Sequence, residues 1–338
     1  MIEALKAAIA EAAAPFADTR LHVFEIEPAS LEGSRLTLTG RVLEQSQLTA
    51  LTADLRARYP GLELDVSGVR VLRQPAPRVL TVATNLTSLH RRPSWLEEQV
   101  SQLMYGWPLE VLEEDGRWSF VRQSDGYLGW AYTPYLRAEP APQPTHLVIA
   151  PAGLLRAQPQ PDSDLITRVI GGTAIKLLAT RGEWAEVEAS ERGWLPLADL
   201  RALDDLPKTP QARRQTMVTD ALRLTGTQYL WGGCGVNGID CSGLAQLVHR
   251  WVGITIPRDA DMQFFAGRPV PEPFQPGDLL FYGEMENGRM HATHVSVCMG
   301  GWHIIHSSRA RNGVYQDDVQ QVPHLKESFC GACTFIDA

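Results

Sequence analysis

The stretch "YLWGGCGVNGIDCSGLAQLVHRWVG", Tyr229 to Gly253, carries two cysteines, Cys234 and Cys241, seven residues apart. From Leu244 onward, Leu244, Leu247, Val248 and Trp251 recur at helical spacing, whereas Gly232 to Gly238 is too rich in glycine to be anything but loop. A helix is therefore predicted to open at Cys241. The unpaired amides of a first helical turn carry partial positive charge and stabilise a thiolate. Cys241 is on that argument a candidate nucleophile; the plain alternative is a small apolar residue packed under the loop.

The chain has 338 residues, enough for two or three domains, with apolar and charged fractions typical of globular proteins. A formal charge of -8 and the lack of a basic cluster argue against nucleic acid or an anionic membrane surface as the main partner. No stretch approaches the roughly 20 apolar residues that a spanning helix needs. The opening "MIEALKAAIAEAAAPFADTR" reads as a short amphipathic helix without an export pattern. The expectation is a cytoplasmic protein, or a secreted one if the native gene encodes a leader that this chain lacks. Five cysteines, Cys234, Cys241, Cys298, Cys330 and Cys333, all lie in the last third, which is not a disulfide framework.

Three stretches rich in proline or charge read as linkers: Arg73 to Arg78, Glu139 to His146 and Leu203 to Arg214. Before the first, strand-like runs flank a helix-like "SQLTALTADLRARY", so residues 1–74 form a small α+β domain. It resembles the small domains called BON, and no residue in it proposes chemistry. The middle of the chain repeats itself. Trp118 matches Trp184, Gly129-Trp130 matches Gly193-Trp194, and Leu136 matches Leu200, at offsets of 66, 64 and 64. Short strands between Gly, Asp and Ser turns describe two small β-barrels, residues 79–138 and 146–201. They resemble the bacterial SH3-like domains that accompany cell-wall enzymes.

Residues 214–338 follow the helix of Cys241 with "PGDLLFY", "HVSVCMG" and "HIIHSS", strands of an antiparallel sheet. A cysteine nucleophile needs an imidazole to take its proton and a third group to orient that imidazole. His294 and His306 lie on successive strands joined by the Gly300-Gly301 turn. His303 and His306 differ by three, an odd number, so only one of them can share the face of His294.

The order "YLWGG…GIDCSGLAQLVHRWVGITIPRDADMQ", "PGDLLFY", "HVSVCMG", "IIHSS" resembles the NlpC-type papain-like cysteine peptidases, which cut peptidoglycan stem peptides. The fold class implied is multidomain α+β: a small α+β domain, two SH3-like barrels and a papain-like catalytic domain. The resemblance implies Cys241 as nucleophile, His294 as general base, His306 as its orienting partner and Tyr229 beside the oxyanion. Asp240 and Ser242 match the flanks of the nucleophile box. Barrels followed by a peptidase resemble a subgroup that holds the free amine of an N-terminal L-alanine. That implies Glu98, Tyr127 and Asp259 as the amine site, two carboxylates and a hydroxyl for three ammonium donors.

The resemblance thus implies hydrolysis of the γ-D-glutamyl–diamino acid bond of muropeptides, with no cofactor or metal, a peptide as partner, and a role in recycling. The insertion "GEMENGRMHAT" before His294 is longer than a tight loop and is expected to form part of one cleft wall. Three rivals remain. One is a zinc site drawn from His291, His294, His303, His306, Cys298, Cys330 and Cys333, which lacks a second Cys-x-x-Cys pair and leaves the Asp-Cys-Ser-Gly box unexplained. The others are an acyltransferase or amidase on the same fold, and a non-catalytic wall-peptide binder.

Overall fold

The amphipathic stripe of the first residues folds as a helix, α1 (Ile2–Ala13), with Leu5, Ala8 and Ile9 buried. The computed structural model describes residues 1–286 and 288–336; Asn287, within the predicted insertion, and Asp337 and Ala338, at the end of the predicted catalytic segment, lie outside the described residues. After α1 come β1 (Phe24–Glu32), β2 (Arg35–Val42), α2 (Gln45–Arg58) and β3 (Glu63–Val71). A capping box opens α2, with the Glu44 and Gln47 side chains bonding each other's backbone N–H. β2 pairs antiparallel with β1 and parallel with β3. Leu5, Leu36, Leu38, Leu51 and Leu55 form the core between helices and sheet.

Next along the chain are β4 (Arg78–Val82), β5 (Leu86–His90), β6 (Gln99–Met104), β7 (Pro108–Asp115), β8 (Trp118–Arg122), β9 (Leu128–Tyr132) and β10 (Leu136–Arg137). The chain divides into two compact units, Met1–Leu80 with Pro108–Thr133, and Thr81–Trp107 with Pro134–Ala338. Strands of the first predicted barrel therefore fall in both. In the first unit the β7–β8–β9 meander shares an apolar cluster of Val23, Leu43, Leu72, Phe120 and Leu128 with the N-terminal domain. Glu113 of the meander accepts from both Arg41 and Arg70.

In the second unit β5 and β6 form a hairpin. The second barrel contains β11 (His146–Val148), β12 (Ala152–Arg156), β13 (Leu165–Ile170), β14 (Ala174–Arg181), β15 (Trp184–Glu188), β16 (Arg192–Pro196) and β17 (Leu200–Ala202), in the order β13-β12-β16-β15-β14-β11-β17. The internal repeat has a structural counterpart in the meanders β7–β8–β9 and β14–β15–β16. Trp118 and Trp184 each open the middle strand, and the connection after it shortens from residues 123–127 to 189–191, which accounts for the two-residue difference in offset.

The C-terminal part comprises α3 (Pro210–Leu222), β18 (Cys234–Gly235), β19 (Gly238–Ile239), α4 (Cys241–Arg250), α5 (Ala260–Ala266), β20 (Arg268–Pro269), β21 (Leu279–Glu286), β22 (Arg289–Gly300), β23 (His303–Ser308), β24 (Gly313–Asp318), α6 (Pro323–Ser328) and β25 (Phe329–Thr334). The stretch read as the third linker runs into α3, because Thr209 caps the helix and Pro210 suits its first turn. One sheet, in the order β20-β25-β21-β22-β23-β24, faces α4. Leu244, Leu247 and Val248 of the helix pack with Phe281, Val295, Val297 and Ile305 of the sheet. The far end of α4 is tied to the second barrel: the Trp251 indole donates to the Val148 carbonyl at 3.0 Å and Arg201 donates to the Trp251 carbonyl at 2.7 Å.

The predicted cleft-wall insertion is an extension of a hairpin rather than a loop. β21 and β22 stay paired out to Glu286 and Arg289, with one irregularity after Tyr282. No described helix is long and apolar enough to cross a membrane.

Candidate active site

Helix α4 begins at Cys241, as the apolar spacing predicts, and Asp240 is its N-cap, accepting from the Gly243 amide at 2.7 Å. As the first residue of the helix, Cys241 has a backbone N–H with no intrahelical acceptor. Gly243 is required by close approach. A Cβ there would lie 2.2 Å from the carbonyl oxygen of Gly233, so the loop and the first turn can touch only without one.

The backbone amides of Val295 and Ser242 lie near enough to the Cys241 sulfur to favour its anion, which puts the sulfur beside the strand that carries His294. His294 Nε2 and His306 Nδ1 are 2.8 Å apart. The pairing of β22 with β23, Val297 opposite Ile305 and Cys298 opposite Ile304, explains the meeting. Continuing that register sets His306 opposite Ser296, and His294 lies two residues along on the same face, within diagonal reach. His303 is exposed, three residues from buried His306.

The sequence reading missed the next member of this chain of contacts. Asp317 Oδ2 lies 2.9 Å from His306 Nε2, and Arg311 holds Oδ1 at 3.0 Å. On β24 Tyr315 sits opposite His306, so Asp317 is the same-face diagonal neighbour. The "RNGVYQDD" hairpin signal, Asn-Gly followed by alternating residues, was the clue available in the sequence.

The carboxylate can only accept, so His306 must carry its proton on Nε2 and present a bare Nδ1. His294 then donates from Nε2 and keeps Nδ1 bare, free to receive a proton. The arrangement is that of a cysteine with an oriented base.

Burial works against the expected resting thiolate. It pushes the Cys241 thiol up to about 12, with the Asp240 charge adding to the rise, although the Val295 and Ser242 amides and Arg258 oppose it. Burial likewise pushes His294 down to about 3, with His306 and His324 adding to the fall. The helix terminus helps the anion, but desolvation is the larger effect. In this arrangement both partners favour their neutral forms.

Asp240 and Ser242, which match the flanks of the box and are expected among the substrate-binding residues, are buried in a polar network. Arg258, itself buried, forks onto Asp240 at 2.6 and 3.1 Å, reaches Ser242 Oγ at 2.9 Å and Ser101 Oγ at 3.0 Å. Asp240 also accepts from the Gly232 amide at 2.9 Å. Its charge is fully used by Arg258, two backbone amides and a hydroxyl. Asp259 is the N-terminal flank of α5, partly exposed, 3.9 Å from the same guanidinium.

Strand β6 borders this region. Gln99 donates to the Trp231 carbonyl, Gln102 accepts from the Cys234 amide, and Glu98 accepts from the Trp231 indole at 2.8 Å. Arg91 also pairs with Glu98, at 2.7 Å. Tyr229 makes a parallel bridge to Ile239 and accepts from Arg309 Nε at 3.3 Å. Burial and then the Cys241 charge raise its phenol above the ordinary value. Tyr127, also predicted for the amine site, belongs to the first unit, where its ring is buried. Among the described residues no three His, Cys, Asp or Glu side chains group as a metal site.

Comparison with known proteins identifies two of the domains. Residues 226–333 match the NlpC/P60 family and residues 89–132 match the bacterial dipeptidyl-peptidase Sh3 domain. A γ-D-glutamyl-L-lysine dipeptidyl-peptidase of Bacillus cereus is 29% identical over 70% of this chain and 75% of its own length. Dipeptidyl-peptidase 6 of Lysinibacillus sphaericus is 26% identical over 75% of this chain and 97% of its own. The crystal structure of an NlpC/P60 family protein from Bacillus cereus, 22% identical, superposes with a TM-score of 0.67 over 77% of this chain and all of that one, a likeness of fold. With its nucleophile box on a helix facing an antiparallel sheet, the segment 226–333 is a domain of the NlpC/P60 family, preceded at residues 89–132 by a bacterial dipeptidyl-peptidase SH3 domain.

Proposed function

We propose that the chain hydrolyses the γ-D-glutamyl–diamino acid bond of peptidoglycan stem peptides, acting on free peptides that begin with L-alanine. The observation that carries this reading is the chain of contacts from Asp317 through His306 to His294, whose strand neighbour Val295 presents its amide to the Cys241 sulfur. The names of the γ-D-glutamyl-L-lysine dipeptidyl-peptidases of Bacillus cereus and Bacillus subtilis support the choice of bond.

In this mechanism His294 Nδ1 takes the thiol proton as the Cys241 sulfur attacks the γ-carbonyl carbon. The carbonyl electron pair moves to oxygen, which the free Cys241 N–H and the Tyr229 hydroxyl stabilise. Because Tyr229 accepts from Arg309, its own O–H proton is left to donate. The tetrahedral intermediate collapses, the C–N bond breaks, and the amine leaves with the proton from His294. Water, deprotonated by His294, then attacks the thioester and releases the L-Ala-γ-D-Glu acid and the free thiol.

Resting neutral groups fit this sequence, since the proton moves only as the carbon–sulfur bond forms. The amine of the leading alanine is assigned to Glu98 and Asp259, both in the unit that holds Cys241. A blocked amine would forfeit its own pairing with these carboxylates, which keep Arg91 and Arg258 as neighbours. Free muropeptides are the products of wall turnover, so a strict need for a free amine would make this a recycling enzyme.

The test is cleavage of synthetic L-Ala-γ-D-Glu-meso-diaminopimelate and L-Ala-γ-D-Glu-L-Lys, free and N-acetylated, with Cys241→Ala as blank. Hydrolysis of the free forms alone, absent in the blank, is the expected result. Equal hydrolysis of the acetylated forms would remove Glu98 and Asp259 from the reading, and no hydrolysis of any would remove the bond.

A further inference from the structure

Among the described residues, one strong cation at Tyr229 has no acidic partner. Arg309 follows β23 by one residue, on the strand that brings in His306. Ser307 of that strand donates to the Ile239 carbonyl at 2.6 Å, which fixes the start of this segment against the residues that lead into Cys241. From there the Arg309 guanidinium lies 4.9 Å from the Trp231 ring centre and 5.5 Å from that of Tyr229. Its Nε donates to the Tyr229 hydroxyl at 3.3 Å.

Among the described residues no carboxylate pairs with Arg309, whereas Arg258 has Asp240, Arg311 has Asp317 and Arg91 has Glu98. With Nε engaged and the plane set over two aromatic rings, both Nη groups remain for a ligand, the fork geometry that suits a carboxylate. Trp231 also holds Glu98 through its indole N–H. One indole therefore carries a carboxylate on its edge and a guanidinium on its face, too far apart to pair with each other.

A peptide linked through a γ-glutamyl carbonyl keeps that residue's α-carboxylate free. In L-Ala-γ-D-Glu the carboxylate is close in the covalent structure to the alanine ammonium, so the acyl half of the substrate is a zwitterion. We propose that Arg309 is the subsite for the α-carboxylate of the γ-linked glutamyl residue, binding it through Nη1 and Nη2 beside the Trp231 indole. This rests on the reading of the bond given above. It makes Arg309 the residue that separates a γ-linked glutamate from its α-amidated form, isoglutamine.

The experiment compares L-Ala-γ-D-Glu-L-Lys with its α-amide, L-Ala-γ-D-isoglutamine-L-Lys, and with the peptide amidated instead at the lysine carboxyl. Each is cleaved by the full chain, by Arg309→Gln and by Arg309→Lys, after the variants' thermal unfolding has been matched to the parent. The parent should favour the α-carboxylate over the α-amide by roughly ten- to a hundredfold in kcat/KM, the worth of a charge-assisted hydrogen-bond pair.

Arg309→Gln should abolish that preference, and Arg309→Lys should restore part of it. The ratio between substrates cancels any effect of the change on the Tyr229 hydroxyl. Equal cleavage of acid and α-amide by the parent, or a preference that survives Arg309→Gln, would overturn the subsite while leaving the bond assignment intact. A preference that follows the lysine carboxyl would place the cation on the leaving side and overturn it too. Cleavage of none of the three peptides by the parent would overturn subsite and bond assignment together.

Discussion

His306 Nε2 lies 2.9 Å from Asp317 Oδ2, and this contact determines the protonation pattern of the whole array. The carboxylate accepts, His306 donates from Nε2, and the remaining lone pairs line up toward Cys241. Replacing Asp317 with alanine leaves His306 free to adopt either tautomer. We expect kcat/KM for the tripeptide to fall roughly ten- to a hundredfold, with the loss in kcat. Unchanged kcat in Asp317→Ala would show that His306 is oriented by packing alone.

The base should work at unusually low pH. Burial lowers His294 to about 3 and raises Cys241 to about 12, so the neutral pair persists across the range between them. The acid limb of kcat/KM should therefore lie below the usual imidazole value of about 6.5, with no alkaline limb from the thiol below about pH 10. An acid limb centred at or above 6.5 would mean that substrate-free burial does not govern the base.

Arg258 and Asp240 form a buried pair at 2.6 Å that also organises Ser101, Ser242 and Gly232. Removing one member leaves the other charge without compensation. Arg258→Met should destabilise the protein by about 3–5 kcal/mol, read as a lower urea midpoint. The double change with Asp240→Asn should be less damaging than the sum of the single ones.

Gly243→Ala sets two effects against each other. Alanine is the better helix former by about 1 kcal/mol. The added carbon, however, would meet the Gly233 carbonyl at 2.2 Å, backbone against backbone. Overpacking of this kind costs about 1–3 kcal/mol or more, so net destabilisation is expected. Shifting the first turn also moves Cys241, and an ångström of misplacement costs on the order of a hundredfold in rate. A variant as stable and active as the parent would show that the loop yields freely.

His249 is fully buried in α4, its Nδ1 donates to the Ala245 carbonyl at 2.7 Å, and its Nε2 has no partner among the described residues. Burial lowers its pKa to about 4. The unfolded chain then binds the proton more readily than the folded one, so this stabilisation is present above about pH 6.5 and is lost as pH falls toward 4. His249→Phe should flatten the dependence of the urea midpoint on pH within that window. The same slope in parent and variant would assign the acid sensitivity elsewhere, His294 being the other deeply lowered imidazole.

Local pattern was enough for much of this protein. The apolar spacing after Leu244 placed a helix start at Cys241, and the odd separation of His303 and His306 allowed only one of them onto the face of His294. The tryptophan repeat marked corresponding positions in two meanders. These readings succeed because periods of 3.6 and 2 are properties of short segments, independent of what the segment packs against.

Tertiary structure decided the rest. Asp317 reaches His306 through the register of a hairpin, and Arg258 reaches Asp240 across 18 residues of helix and loop. Glu98 meets Trp231 from a different strand system altogether, 133 residues away. The protonation state of Cys241 reversed the expectation from its helix position, because amide dipoles act locally whereas desolvation depends on everything packed over the sulfur. Residue type and spacing indicate which groups can react. Burial and long-range pairing set their charge, and those arise only when distant segments close on one another.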